Sequence, residues 1–435
     1  MNPTSTSPTH RIFTPYQKFI VAVLAFLQFT IILDFMVLSP LGAILLPELH
    51  ISTSQFGLVV SAYAFSAGAS GLLAAGFADK FDRKKLLLFF YGGFVLGTLL
   101  CGIAPNYHFL LMARVITGMF GGVISSVSFA IITDLFSMEV RGRVMGFVQM
   151  SFSASQVLGL PIGLYLANLW GWHAPFLLIV GLCILVGIAI IIYMRPVDAH
   201  LKMQTDKNAF IHLYHTATNF TYAKAFAATV FLATGGFMLM PFGSAFAINN
   251  LGLTLEQLPL LYMITGIFSI VMGPLAGKLA DNIGKYKVFM MGSIITIAIV
   301  IYYSNLSVTP FGVIVVLNVI LFAGIAARMI SSSALITGVP EARERGAFMG
   351  INSSIQQISG GIASAVAGVI VFQTPDGKLE NYPMLGYVVA TTSVITIILM
   401  YFLAQYVNQK YDCTKSSLTS QSEETPVPPV ITAQE

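Results

Sequence analysis

The chain has 435 residues, of which 56% are hydrophobic and only 9% charged, and its mean hydropathy is +0.82. Such a composition excludes a soluble globular protein and indicates a membrane protein. The formal net charge of +4 needs no nucleic-acid partner, since we attribute it to membrane topology. Three cysteines, two in apolar segments and one near the C-terminus, suggest neither a disulfide framework nor a metal cluster.

Apolar segments long enough to cross a hydrocarbon core of roughly 30 Å recur along nearly the whole chain. We predict twelve membrane-spanning helices, the first of which is too long for a signal peptide. The ends, 1–15 and 408–435, are polar and rich in Pro, Ser and Thr, and we predict that they are disordered. The predicted spans are residues 17–46, 56–78, 86–104, 107–134, 144–168, 174–194, 224–248, 258–279, 288–304, 309–338, 347–372 and 384–407.

The basic residues set the expected orientation, because Lys and Arg are retained on the cytoplasmic side of short loops. With both termini inside, nearly all of the 22 Lys and Arg residues lie on one side. The exceptions are Arg114 and Arg328, within predicted helices, and Lys378, in an outer loop. We therefore expect both termini to be cytoplasmic.

Two halves of the sequence repeat one another. The segment 195–223, the longest inner connection, separates six helices in 16–194 from six in 224–407. "GFADKFDRKK" at 76–85 is echoed by "GKLADNIGKYK" at 277–287, and "RGRVMG" at 141–146 by "RGAFMG" at 345–350, with offsets of 202 and 204 residues. A near-constant offset indicates duplication. We predict an all-α membrane protein of two pseudo-symmetric six-helix bundles.

With this repeat, the sequence resembles the major facilitator superfamily, and within it the twelve-helix drug/proton antiporters and sugar-efflux-type permeases. The resemblance covers about residues 16–407. Its most specific element is the loop after the second helix, where the family pattern is G-x-x-x-D-[RK]-x-G-[RK]-[RK]. Asp82 replaces the second glycine of that pattern, while the second-half copy keeps Gly284. Asp79, Lys80, Arg83 and Lys84 match this pattern. We also assign Gly76 to it, although Gly76 lies three residues before Asp79 and the glycine of the pattern lies four before the aspartate.

This loop carries a charge that needs a partner. An acid at a helix C-terminus sits against the negative end of the helix dipole, so Asp79 needs a cation such as Arg83, Arg141 or Arg143. We interpret the cluster as a cytoplasmic latch that stabilises one transport state, as the resemblance also implies. The second-half members are Asp281 and Lys285. The alternative is a solvated charge cluster that only sets topology.

Asp34 is the one acid among 18 that lies deep in a predicted span. A charged aspartate at a helix centre costs about 2.5–3.5 kcal/mol on insertion scales, so it should face a wet cavity, a partner or both. Arg114, in the outer half of the fourth helix, is the natural partner. "RVITG" at 114–118 matches the R-x-x-x-G motif, and the resemblance implies a role in proton coupling for its arginine. Arg114 also begins a small, polar stripe, which could face the cavity or pack against a helix and which continues at Gly118, Gly121, Ser125 and Ser128.

Other polar residues are candidates for a substrate cavity. The amides, on the fifth and eleventh helices, either contact substrate or bond a neighbouring helix. Arg328, on the tenth helix, could be held by carbonyls and hydroxyls, pair with Asp34 or bind an anionic substrate group, and we prefer substrate binding. "GLPIG" predicts a helix bend at Gly159, Pro161 and Gly163 and resembles the sugar- and nucleoside-efflux-type permeases. The amides are Gln149, Gln156, Asn352 and Gln356.

The sequence contains no P-loop, no metal-ligand spacing and no nucleophile with a base, so we expect neither an enzyme nor a cofactor. The expected function is proton-coupled efflux of a small organic compound or drug by a secondary transporter. A symporter, a uniporter of a metabolite such as a sugar, and a non-transporting membrane sensor are the alternatives. We expect a monomer in a bacterial inner membrane, with the lipid bilayer, protons and a small-molecule substrate as its partners.

Overall fold

The computed structural model describes residues 13–198, 201, 209–341 and 344–423. The first half begins at a capping box, in which Thr14 accepts a hydrogen bond from the Gln17 amide and Pro15 occupies the first turn. Its helices are α1 Pro15–Val37, α2 Gly42–Glu48, α3 Thr53–Phe77, α4 Arg83–Gly102, α5 Tyr107–Leu135, α6 Met138–Ala154, α7 Leu160–Trp170 and α8 Ala174–Tyr193.

A short helix, α9 Ala209–Thr218, follows the first half. The second half then repeats the order of long and short helices seen in the first half. A two-stranded hairpin, β1 Phe372–Gln373 and β2 Leu379–Glu380, joins the last two long helices. The remaining helices are α10 Phe220–Phe237, α11 Gly243–Asn249, α12 Gln257–Ile283, α13 Lys285–Ser304, α14 Phe311–Ile336, α15 Arg345–Ile370 and α16 Tyr382–Glu423.

The predicted architecture is confirmed: twelve membrane crossings form two bundles of six. In the described part of the chain, 11 helical segments are long and apolar enough to be candidate spans. The twelfth crossing is α15, whose many Ser, Gly, Asn and Gln residues lower its hydropathy. A helix that buries small and polar residues against the other half does not need the apolar surface of a lipid-facing helix.

Two of the predicted domain boundaries fall inside helices. The segment 195–223 is not only a linker, because it contains α9 and the first residues of α10. The C-terminal tail is not disordered from residue 408, because α16 continues to Glu423. The sequence has no proline between Pro383 and Pro426, so nothing in this stretch forces the helix to stop earlier. Of the predicted N-terminal tail, residues 1–12 lie outside the described part.

Three crossings are interrupted where proline enters the helix. Pro40 follows the end of α1, and Pro241 lies in a 3₁₀ turn between α10 and α11. In the fifth crossing a π turn, Ser155–Gly159, separates α6 from α7, and the Leu160 amide bonds the Ser155 carbonyl. Pro161 has no amide hydrogen and its ring crowds the preceding turn, which explains why the helix widens there. This turn ends at Gly159, the first residue of the bend predicted from Gly159, Pro161 and Gly163.

The halves contact each other at the end of the bundle that carries α2, α11 and the β-hairpin, which we call the distal end. We call the opposite end, with the start of α1, the terminal end. Thr53 at the distal start of α3 bonds the Val371 carbonyl at 2.5 Å, and α3 packs along α15 as far as Gly71. The π turn contacts α12 at Gly266. At the terminal end, Gly146 and Gly350 of the repeated motif have no atom within 4 Å of an added Cβ.

Candidate functional site

A fully buried ion pair lies inside the first half. Arg114 of α5 places Nη1 2.7 Å from Oδ2 of Asp34 on α1, and both side chains are 0% exposed. The same Nη1 lies 3.4 Å from the Asp34 carbonyl, and Thr98 of α4 donates a 3.2 Å hydrogen bond to the other carboxylate oxygen. The predicted pairing of Asp34 with Arg114 is therefore present. Asp34, Arg114 and Thr98 lie on three different helices. The contacts of the carboxylate therefore change whenever α1, α4 or α5 moves relative to the others.

Aromatic rings connect this ion pair to the other half of the molecule. The guanidinium carbon of Arg114 lies 4.6 Å from the centre of the Tyr63 ring, a cation–π contact. Tyr63 packs on Phe35, the residue after Asp34, with ring centres 5.3 Å apart. Phe35 in turn packs on Phe237 of the second half at 5.7 Å. A continuous path of side-chain contacts therefore runs from the buried charges to the boundary between the halves.

Glycines let the helices around the ion pair approach closely. A Cβ at Gly118 would lie 2.4 Å from the carbonyl oxygen of Tyr63, and one at Gly121 2.8 Å from the Tyr63 hydroxyl. The glycines of the small stripe on α5 thus pack against α3. Arg114, at the head of that stripe, lies within the first-half bundle, so the stripe itself is a packing surface and not the wall of an open cavity.

The predicted helix bend also contacts the helix that carries Asp34. A Cβ at Gly159 would lie 2.5 Å from Cδ1 of Leu33, and one at Gly163 would lie 3.1 Å from Cγ2 of Val37. The adjacent Ser155 donates a 3.0 Å hydrogen bond to the Phe29 carbonyl of α1. Since these contacts flank Asp34 on both sides in sequence, the π turn helps to position the carboxylate.

The predicted cavity amides occupy different environments. Gln149 and Gln356 are exposed and Gln156 is partly buried. Asn352 is buried, and its side-chain oxygen accepts a 2.6 Å hydrogen bond from Thr229 of α10. Of the two roles predicted for Asn352, the structure favours a hydrogen bond to a neighbouring helix of the same half over contact with substrate.

Arg328 does not pair with Asp34. It lies on α14 at 5% exposure, and its Nη2 approaches Gly235 of α10. Among the described residues, no carboxylate forms an ion pair with it, and its Nε and Nη2 have no hydrogen-bond partner. Asp34 pairs with Arg114 instead, so the pairing with Arg328 across the cavity that the sequence left open is absent from this structure.

The predicted latch residues form contacts within the first half. Arg83 pairs with Asp134 at the end of α5, with Nε and Oδ2 3.1 Å apart, and donates to the Ala78 carbonyl. Arg141 donates to the carbonyls of Thr133 and Phe136, which closes the C-terminus of α5. The side chain of Asp79 and the surroundings of Gly76 lie outside the described part, so the pairing predicted for Asp79 stays a prediction.

The remaining latch residues show no ion pair among the described side chains. Lys84 donates to the carbonyls of Ile191 and Met194 at the end of α8. Arg143, Asp281 and Lys285 lie at the terminal end, the first two of them exposed. At the position where the family pattern has its second glycine, Asp82 caps α4 by accepting from the Lys85 amide. The cap supplies a helix start without the left-handed backbone that Gly284 adopts, at φ 101°.

Comparison with known proteins decides the family. The family model of the Major Facilitator Superfamily matches residues 24–222 and 225–427. The chain belongs to the Major Facilitator Superfamily.

Relatives and solved structures of the superfamily agree with this assignment. The chain is 26% identical over 269 residues to the uncharacterized MFS-type transporter YceJ of Bacillus subtilis, covering 62% of this chain and 68% of the relative. It is 21% identical over 360 residues to multidrug resistance protein 2 of the same organism, covering 81% and 89%. The crystal structure of a D-xylose–proton symporter superposes with a TM-score of 0.72 at 16% identity, covering 90% of this chain and 99% of that one.

Sequence reasoning missed several residues of the site in this superfamily member. Thr98, Tyr63 and Phe35 contact the ion pair or extend it, yet hydroxyl and aromatic residues are common throughout membrane helices. Phe35 had one signal, since it is adjacent to the only deep carboxylate. Thr98 and Tyr63 lie on other helices, and only the packing shows their contacts.

Proposed function

We propose that this transporter exports a small organic compound in exchange for protons, with Asp34 as the proton-carrying group and Arg114 as its counter-ion. The observation that carries the proposal is the fully buried ion pair between them. A buried pair gives little net stability compared with apolar residues of similar volume, because removing both charges from water is costly. Ionisable residues inside a membrane bundle are typical of proton pathways.

Proton transfer would change this site in a defined way. Protonation of Asp34 removes its attraction for Arg114 and leaves a guanidinium that needs another partner or water. Tyr63 and Phe35, which contact the pair and its helix, then shift together with α1. A carboxylate that binds a proton in one state and releases it in the other biases the equilibrium between those states.

The distal end is the extracytoplasmic end in this proposal, since the basic residues favour cytoplasmic termini. The halves contact each other there, so the structure corresponds to the state that is closed to the outside. In that state Asp34 is paired with Arg114, as expected after it has released its proton to the cytoplasm. When the distal end opens, Asp34 takes a proton from outside. The two halves then rotate about the substrate site and return to the state that is closed to the outside.

The substrate in this proposal contacts residues that both halves contribute. The amides of Gln149, Gln156 and Gln356 and the guanidinium of Arg328 are the candidates, whereas Asn352 already bonds Thr229. Arg83 and Arg141 act at the terminal end as part of the latch. Arg83 connects the start of α4 to the end of α5, and Arg141 connects the start of α6 to the end of α5. The similarity to multidrug resistance protein 2 supports export of a drug-like compound, since that relative covers most of the chain.

Everted membrane vesicles test the proposal. Respiration acidifies their lumen, and acridine orange reports the pH gradient by quenching. Compounds from a panel of dyes, antibiotics and organic acids are added one at a time to the exposed cytoplasmic face. An exchanger releases lumenal protons as a compound enters, so we expect fluorescence recovery for at least one compound, absent from vesicles that lack the protein.

Right-side-out vesicles provide the contrasting arrangement. If compounds drive proton entry there, and none releases protons from everted vesicles, the protein is a symporter and the export proposal is wrong. If a compound moves equally well with the pH gradient collapsed, transport is not coupled to protons.

A further inference from the structure

The break in the first helix of each half follows the same sequence pattern. Pro40 and Pro241 are 201 residues apart, as are Gly42 and Gly243, which begin α2 and α11. Asp34 lies six residues before Pro40, and Gly235 lies six residues before Pro241. Gly235 therefore occupies the position in the second half that Asp34 occupies in the first.

Each half also places an arginine against this position. Arg114 bonds the Asp34 carboxylate at 2.7 Å in the first half. In the second half, a Cβ at Gly235 would lie 3.8 Å from Nη2 of Arg328. The second half thus has the cation of the pair but a glycine in place of the acid.

The surroundings of Arg328 supply hydrogen-bond donors that have no acceptor. Nε and Nη2 of Arg328, and the hydroxyls of Ser331 and Ser393, are buried without a partner among the described residues. Ser331 lies one turn from Arg328 on α14, and Ser393 of α16 lies 3.8 Å from the same Cβ position at Gly235. An uncompensated guanidinium at 5% exposure is costly inside a membrane bundle.

Such a set of donors is complementary to a small anion. A carboxylate accepts two parallel hydrogen bonds from a guanidinium and further ones from hydroxyls, and these charge-assisted bonds are among the strong ones. The adjacent Gly236 is exposed, with no atom within 4 Å of an added Cβ, so open space lies one residue from the buried position.

We propose that Arg328, Ser331 and Ser393 form an anion-binding site beside Gly235, at the place where the first half has the carboxylate of Asp34. The anion is a carboxylate or similar group of the transported compound, which makes the substrate an organic anion. This assignment to the substrate rests on the proposed export function, whereas the site itself does not. Free chloride is the other source of the same chemistry, and the experiment separates the two.

The test introduces the missing acid. Gly235→Asp supplies a carboxylate within reach of Arg328, and Gly235→Asn is the matched neutral control. The Cβ of either side chain fits, since the nearest atom to it is 3.4 Å away. Thermal unfolding of the purified full chain is measured at increasing concentrations of sodium chloride and, separately, of sodium p-aminohippurate, an organic carboxylate. No pH gradient is present, so the result does not depend on proton coupling.

We expect p-aminohippurate to raise the unfolding midpoint of the wild-type protein by roughly 2–5 °C at saturation. Gly235→Asn places a neutral side chain of the same volume in the site, so it should lack the raised midpoint that a carboxylate gives. Gly235→Asp should show a raised midpoint without the salt and no further response, because its own carboxylate fills the site. Arg328→Gln should lose the response, which keeps the test valid if Gly235→Asp does not fold. A response to chloride that p-aminohippurate does not exceed would overturn the organic-anion assignment and leave a halide site.

The anion site is wrong if neither salt stabilises the wild-type protein, or if Gly235→Asp or Arg328→Gln responds as the wild type does. Failure of the export function has a different signature. In that case the response to p-aminohippurate and its loss in Gly235→Asp remain, while no panel compound releases protons from vesicles.

Discussion

Phe35 packs on Phe237 across the boundary between the two halves, with ring centres 5.7 Å apart. Phe35 directly follows Asp34 and also contacts Tyr63, which covers the guanidinium of Arg114. A change at the ion pair that moves α1 therefore acts directly on a contact that holds the distal end closed.

Replacing Phe35 by Leu should loosen the distal end while keeping apolar volume. An aromatic pair contributes about 0.5–1.5 kcal/mol beyond its buried area, so the open population should rise by roughly 2- to 10-fold. Hydrogen exchange of the backbone amides in α2 and α11 measures this population. Phe26→Leu is the control, because Phe26 is exposed on the same helix. Among the described residues, its ring packs on the ring of Phe29, which also belongs to α1. Unchanged exchange in Phe35→Leu would show that this contact does not hold the halves together.

Asp34 and Arg114 should be strongly coupled in stability. Removing one member of a buried pair leaves an uncompensated charge and typically costs about 3–5 kcal/mol, whereas removing both is far less costly. We expect Asp34→Asn and Arg114→Gln each to lower the thermal unfolding midpoint, and the double variant to recover much of the loss. If the two losses simply add in the double variant, the side chains are not an energetic pair.

Thr98 should tune the pH dependence of transport. Its hydroxyl donates to Oδ1 of Asp34 and stabilises the charged carboxylate, so Thr98→Val favours the protonated form. The midpoint of the flux–pH profile should therefore move to higher pH by roughly one unit. Thr117→Val is the control, since the Thr117 hydroxyl bonds the Ala113 carbonyl and contacts Cys101 Sγ but does not donate to the Asp34 carboxylate. An identical profile for Thr98→Val and wild type would exclude Asp34 as the group that sets the profile.

The sequence predicted much of this molecule because the main signals are local. Spans of apolar residues, the duplicated motifs and the lone deep acid each follow from composition and spacing alone. The pairing of Asp34 with Arg114 could be predicted because very few charged residues lie within the spans. Each of the two therefore had almost no alternative partner of opposite charge.

What the sequence could not predict depends on packing between distant segments. Asn352 and Gln356 lie four residues apart on one helix. Asn352 accepts a hydrogen bond from Thr229 of the neighbouring helix α10, whereas Gln356 is exposed. The polar stripe on α5 fitted both a cavity wall and a packing surface, and the 2.4 Å approach of the Tyr63 carbonyl to a Cβ at Gly118 decides for packing. The π turn before Pro161 likewise appears only once the backbone is traced.

The central claim is that Asp34 carries the coupled proton, and compound-driven proton release from everted vesicles tests it most directly. The compound with the largest wild-type response is used, with Glu256→Gln as the control for loss of an exposed carboxylate. We predict that Asp34→Asn abolishes proton release at matched protein levels while Glu256→Gln retains the wild-type rate. Proton release by Asp34→Asn at the wild-type rate would contradict the account.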